Sequence, residues 1–136
     1  MTEPGASASK REAFIAEPRT AVFSTVDAQG RSHAVPVWYL WKDGEFRVVT
    51  DRGSQKHRNA ARSGRAALTI VDGPRYVMAE GPVRVVDPLS YEERLALHTH
   101  YRGAEAAASS TADGAHERMV LLVLAPERWL GMSDGG

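Results

Sequence analysis

The sequence predicts a mainly β fold: a small β-barrel of six to seven mostly antiparallel strands with short helices inserted. Three observations carry this. Short runs rich in valine, threonine and aromatic residues recur along the 136 residues. Turn signals such as Asp27-Ala28-Gln29-Gly30, Asp43-Gly44 and Asp72-Gly73-Pro74 separate them. Strand-like runs outnumber helical ones by about two to one, and hairpin-length links join most neighbours, which argues against a layered βαβ sheet.

Residues 1–8 are expected to be a disordered tail, 9–132 a single domain and 133–136 a second tail. Ser9 is placed to cap a helix running to Ala16, with Glu12 completing a capping box and Pro18 stopping it. Thr20–Val26 reads as the first strand and His33–Trp41 as the second, joined as a hairpin. The Asp43-Gly44 turn leads into a third strand over Glu45–Thr50. Ser54 then caps a short helix that ends at Gly64, a C′ glycine.

Arg65–Val71 is the fourth strand. Arg75–Val86 is a long fifth one, and Gly81-Pro82 in its middle predicts a bulge or bend, because proline cannot donate to a ladder. Pro88–Tyr101 reads as a helix with Leu89, Leu95, Leu97 and Tyr101 as apolar candidates. Gly103–Ala115, rich in alanine, serine and glycine, reads as a loop or a frayed helix end. Arg118–Leu124 is the sixth strand, and the run Arg128–Met132 adds a short last one.

Composition excludes several functions. There is no cysteine, so disulfides, thiolate chemistry and cysteine-based metal sites are ruled out. Net charge is zero, so no broad positive field invites nucleic acid or membranes. The first ten residues are polar and lack an apolar signal core, and no apolar run approaches the roughly 20 residues of a membrane span. A soluble cytoplasmic protein is expected. His98 and His100 stand two apart on a predicted helix and so face different ways; no metal site is expected from them. No nucleophile–base–orienter set can be assembled, so any difficult chemistry falls to a bound cofactor.

The candidate site is Thr50 to Asn59. Ser54, Gln55, Lys56 and His57 open a helix whose free N–H groups and dipole favour an anion. Asp51–Arg65 holds five of the chain's 17 basic residues and one of its 17 acidic ones. Cations at a helix start oppose the dipole, which points to an arriving anion such as a ligand phosphate; a solvated basic helix face is the alternative reading. The second place is Val35-Pro36-Val37-Trp38, an apolar strand with an open ladder position against which a flat ring can lie. Read alone, it is an edge strand with Pro36 on its solvent side.

Taken together, Ser24-Thr25-Val26-Asp27, Gly30-Arg31, Val35-Pro36-Val37-Trp38 and Gly53-Ser54-Gln55-Lys56 with Asn59 and Arg62 resemble the pyridoxamine 5′-phosphate oxidase-like flavin/deazaflavin oxidoreductases. The resemblance runs from about Phe14 to Gly131. It implies a split β-barrel of the FMN-binding-protein type and a homodimer whose pocket lies at the subunit interface. Arg62-Ser63-Gly64, Val71-Asp72-Gly73, Arg75, Glu80-Gly81 and Arg128-Trp129-Leu130-Gly131 are similar to the deazaflavin-dependent biliverdin reductases of its coenzyme F420 branch.

The resemblance further implies that Ser54, Gln55, Lys56 and Asn59, with Thr50 beside them, meet the cofactor's phosphate side. Arg52 and Arg58 would help there or meet the glutamyl tail of F420. Val35, Pro36, Val37 and Trp38 would line the ring, and Trp129 and Met78 are candidates from across the interface. The implied reaction is hydride transfer from the deazaflavin to an unsaturated small-molecule acceptor such as a biliverdin-like tetrapyrrole. The alternatives are FMN as cofactor, or a carrier protein without turnover.

Overall fold

Every strand pairing in the computed structural model is antiparallel, as the hairpin-rich order predicts. It describes residues 6–132. Helix α1 (Ala6–Ala16) precedes β1 (Ala21–Val26) and β2 (Ser32–Val37), then β3 (Leu40–Lys42) and β4 (Glu45–Asp51). Helix α2 (Gln55–Ser63) leads to β5 (Arg65–Asp72) and β6 (Arg75–Val86). Helices α3 (Tyr91–Arg102) and α4 (Ala104–Ser110) and a 3-10 turn (Ala115–Arg118) precede β7 (Met119–Leu124) and β8 (Arg128–Gly131).

The strand order is β2-β1-β5-β6-β7-β4-β3, with β8 also on β6. The two end strands, β2 and β3, are joined through Trp38-Tyr39, so the sheet curls into a half-barrel. This is the split β-barrel expected from the sequence.

Alternation builds the core. Along β1 and β4 every second side chain points inward, so Phe23, Phe46 and Val48 meet Leu68, Ile70, Val77 and Leu122. Burying one such large apolar side chain contributes about 1.5–3 kcal/mol. Helix α1 seats Phe14 and Ile15 against this core. The unbroken apolar run Met119–Leu124 of β7 is buried on both faces: Val120, Leu122 and Leu124 face the barrel, while Leu121 and Val123 join Leu89, Val49 and Met119 in a second cluster.

Four expectations change. The strand expected over His33–Trp41 breaks at Trp38-Tyr39, giving eight strands among the described residues instead of six to seven. The cause is Tyr39, wholly buried, whose hydroxyl donates to the Ile15 carbonyl at 2.9 Å and draws that residue out of the ladder. Helix α1 begins by Ala6, so Ser9 lies inside it, and Glu12 accepts from the Trp41 indole at 2.7 Å instead of closing a capping box.

The third helix starts at Tyr91, not Pro88, because Ser90 caps it by accepting from the Glu93 N–H at 3.1 Å. Most of the stretch expected as a loop or frayed end, Gly103–Ala115, forms α4, where alanine's helix propensity and the docked Ala107 prevail. Residues 1–5 and 133–136, most of the expected tails, lie outside the described residues.

Where a bulge or bend is expected, β6 runs through Gly81-Pro82 as one strand and changes partner there. Val77–Glu80 pairs with β8, and Val83–Val86 pairs along the same edge with β7. The Ala125 N–H to Pro82 carbonyl bond (3.0 Å) and the Glu127 N–H to Glu80 carbonyl bond (2.9 Å) bridge the corner. A Cβ at Gly81 would sit 2.1 Å from the Ala125 carbonyl oxygen. Only glycine permits this approach. Gly81→Ala is therefore expected to destabilise the fold by about 1–3 kcal/mol, the usual cost of overpacking a closed site. Urea unfolding tests this, and an unchanged midpoint would remove the constraint.

Candidate functional site

Helix α2 begins and ends as its sequence dictates. Ser54 is extended (φ −62°, ψ 162°), and its hydroxyl accepts from the His57 N–H at 3.3 Å. Gly64 closes the helix in the left-handed region (φ 70°), its N–H donating to the Ala60 carbonyl at 2.8 Å. His57 closes the preceding turn: its Nδ1 accepts from the Gly53 N–H at 2.8 Å.

The helix is pinned to the barrel through Asn59 and Thr25, both buried. The Asn59 amide donates to the Thr25 hydroxyl at 3.0 Å, and the Gln55 amide donates to Asn59 Oδ1 at 2.7 Å. A second set of bonds runs to β4. Thr50 Oγ1 stands 2.8 Å from Ser54 Oγ and accepts from Lys56 Nζ at 3.1 Å. Lys56 is half-buried and forms no ion pair among the described residues. Burial holds its pKa below the ordinary lysine value, with the Asp51 carboxylate only partly opposing this.

The other cations of the segment are already engaged. Arg52 is paired with Asp87 at 2.6 Å and donates to the Glu117 carbonyl at 3.1 Å, so its charge is answered within the fold. Arg58 arches back to the Gly53 carbonyl and to Gln55 Oε1, and Arg62 bonds the Val26 carbonyl. Lys56 thus presents the segment's one amine held by a hydroxyl alone.

Lys56 opens onto a cleft of about 260 Å³. Its wall includes Pro36, Val37 and Trp38, so the two segments singled out in the sequence meet here. Pro36 lies on an end strand of the sheet, as the edge-strand reading requires. Val35, one position earlier, does not line the cleft. Thr50 and Ser54 lie behind Lys56 as its supports. Gln55, Arg58 and Asn59 instead line a separate polar depression of about 200 Å³ facing the β1–β2 turn with Asp27, Arg31 and Arg62.

The remaining wall comes from residues the sequence reading did not propose: Val49, Met119 and, on α3, Arg94, Leu97 and His98. Arg94 and His98 share a helix face at i, i+4, the one signal that could have found them. Trp38 is fixed from both sides. It stacks on Tyr101 (centroids 4.5 Å apart, 8° between planes) and meets the edge of His98 (5.7 Å, 78°). Burial pushes the Tyr101 phenol up to about 12, so it stays protonated, donates to the Arg19 carbonyl at 2.6 Å and accepts from the Tyr39 N–H at 3.1 Å. The indole is therefore a rigid wall.

Trp129 belongs to its own barrel's aromatic cluster, 5.9 Å from Trp41 and under the Arg11 guanidinium. Met78 faces outward and pairs with Leu130. Among the described residues no group of three or more histidine or acidic side chains is arranged to hold a metal, and no helix is long and apolar enough to cross a membrane.

Known sequences and structures are similar to this chain. Residues 8–133 match the family described as pyridoxamine 5′-phosphate oxidase. The chain is 41% identical over 75 residues to the F420H(2)-dependent biliverdin reductase of Mycobacterium tuberculosis (strain CDC 1551 / Oshkosh). That match covers 54% of this chain and 55% of the relative, so it spans about half the length of each. The fold is similar to that of a conserved hypothetical protein from Mycobacterium tuberculosis, with TM-score 0.78 and 23% identity over 96% of this chain and 89% of that one. It is also similar to an F420 reductase, with TM-score 0.73 and 21% identity over 88% and 94%. At these identities the structural likeness is one of fold.

Lys56 carries a sign that can be measured. Its folded-state pKa lies below its unfolded value, so its charge opposes folding at pH values below both. That penalty is relieved as pH rises through the window between the two. In lysine-labelled protein, NMR titration is expected to show Lys56 deprotonating before the exposed lysines, and added phosphodiester anion to move it back up. Titration at or above the ordinary lysine value would contradict this account of the site.

Proposed function

This chain belongs to the pyridoxamine 5′-phosphate oxidase family, and from that premise we propose that it is an oxidoreductase that binds the deazaflavin coenzyme F420 in the Lys56 cleft and reduces an unsaturated organic acceptor. The observation that carries the reading is Lys56 itself. It is a half-buried ammonium with only a hydroxyl partner, at a helix N-terminus, beside a strand edge and a rigid indole. A phosphodiester supplies the missing anion, and the planar ring lies along Pro36 and Val37 against Trp38.

The chemistry of the groups present suits that cofactor. Thr50 and Ser54 hold Lys56 in place; exposed Arg58, whose partners are uncharged oxygens, offers its charge on the far side of α2 for the acidic tail. When bound, reduced deazaflavin supplies the hydride. The chain's own residues position the ring, exclude water on the apolar side and leave the acceptor face to α3. The partial match to a biliverdin reductase supports a tetrapyrrole as the acceptor class.

We also propose that two copies pair through the outer sheet face. Pro36, Val22, Thr69, Met78 and Leu130 stand in one row across five strands by register, all on the face away from the core. Val22, Val26, Val71, Tyr76 and Leu130 are exposed on that side. The next row, Ala34, Ser24 and Ala67, is small and hollows the face into a groove of about 480 Å³. The row ends at Pro36, so a second copy seated there reaches the cleft.

Parallel titration with F420 and FMN tests the cofactor reading. Tight F420 binding with weak FMN binding is expected, and Lys56→Ala should lower F420 affinity about 10- to 100-fold, the loss of one charge-assisted contact, while barely moving the thermal midpoint. A preference for FMN would replace the cofactor, and binding of neither would return the segment to a solvated basic face. Sedimentation is expected to give twice the chain mass, falling to the monomer for Val22→Glu; a wild-type monomer would refute the pairing.

A further inference from the structure

The α3 wall of the cleft is selective for charge. Three of the cleft's nine lining residues are basic in type, Lys56 on α2 and Arg94 and His98 on α3, and none is acidic, in a chain whose net charge is zero. Burial and the nearby Arg94 and Arg102 charges, partly opposed by Asp113, hold His98 below the ordinary histidine value and disfavour its charged form. Lys56 and Arg94 are then the fixed charges of the cleft.

Arg94 is a buried cation with its bonding incomplete. Its side chain is 7% exposed. Nη1 donates to Asp113 Oδ1 at 2.6 Å. Nη2 reaches the Ser110 carbonyl and Asp113 Oδ2 only at 3.5 Å, the outer limit of a hydrogen bond. Nε is buried with no partner among the described residues. Buried guanidinium groups are normally bonded throughout, because leaving one donor unpaired costs on the order of 1–3 kcal/mol. A fork suited to bidentate carboxylate recognition is here held by one strong bond. The carboxylate that makes it is itself 57% exposed, and its Oδ1 also accepts from the Ala115 N–H at 2.9 Å.

Resting on the deazaflavin reading, in which Lys56 takes the cofactor's phosphate, we infer that Arg94 determines acceptor specificity and that the acceptor is an apolar, conjugated molecule bearing a carboxylate, which Arg94 receives. Asp113 holds the guanidinium until that carboxylate arrives. The apolar remainder of the wall, with Leu97, Met119 and the Trp38 indole, takes the conjugated body.

Biliverdin and its dimethyl ester provide the test, because they differ only in the acidic groups. Binding is read from tetrapyrrole absorbance on the full chain loaded with oxidised F420, so that no turnover intervenes. The diacid is expected to bind at least about tenfold more tightly than the diester. Arg94→Gln should abolish that preference. Asp113→Asn, at an exposed position that frees Arg94, should raise diacid affinity several-fold without changing diester affinity.

Equal affinity for the two forms, binding of neither, or a preference that survives Arg94→Gln overturns the inference. If Arg94→Gln does not fold, the wild-type comparison and Asp113→Asn decide. Reoxidation of reduced F420 by either form separately reads the cofactor assignment. Reoxidation with equal affinities removes Arg94 and keeps F420; a carboxylate preference without reoxidation does the reverse.

Discussion

The barrel depends on one close approach of backbone to backbone, the Ala125 carbonyl against Gly81. Because Gly81 has no side chain, β6 serves β8 with its first half and β7 with its second along the same edge. Pro82 fits the corner because its carbonyl, not an N–H, is what the corner uses, accepting from Ala125 at 3.0 Å. The consequences reach the cleft. Strand β7 carries Met119 to its wall, and the chain leaving Val86 turns into α3, which brings Arg94, Leu97 and His98.

Electrostatics around α2 follow from which charges the fold answers internally. A helix start crowded with Arg52, Lys56 and Arg58 opposes its own dipole, and the structure resolves this unevenly. Asp87, at the end of β6, neutralises Arg52, and Arg58 is spent on local oxygens. Lys56 alone is turned inward to Thr50, where half-burial weakens its hold on a proton. Burying an ammonium in this way costs the fold a little stability. The buried Asn59–Thr25 bond keeps α2 from swinging to relieve that cost by another route.

Much of this was readable in the sequence because it rests on local chemistry. The Ser54 cap, the Gly64 stop and the hairpin turns need only a few neighbouring residues, and all stand where expected. Pro36 on an end strand follows from proline's missing donor. The misread stretches were those where a distant contact overrode the local pattern. Tyr39 leaves its strand to reach Ile15, 24 residues away. Gly103–Ala115 lacks large apolar residues yet becomes mostly helical, with Ala107 packed down. His98 was weighed only with His100 as a metal pair, and its i, i+4 spacing from Arg94 becomes a site only when α3 packs over the cleft.

The sequence by itself determined a mainly antiparallel barrel and a Ser54-capped helix start crowded with cations, because alternation, turn residues and caps act over a few positions. Only the tertiary structure decided which cation remains available and what faces it. Arg52 meets Asp87 across 35 positions of sequence, and Lys56 shares a cleft with Arg94 only because β4, α2 and α3 converge there. Charge pairing falls off steeply with distance and burial, so it is settled by where the chain returns in space.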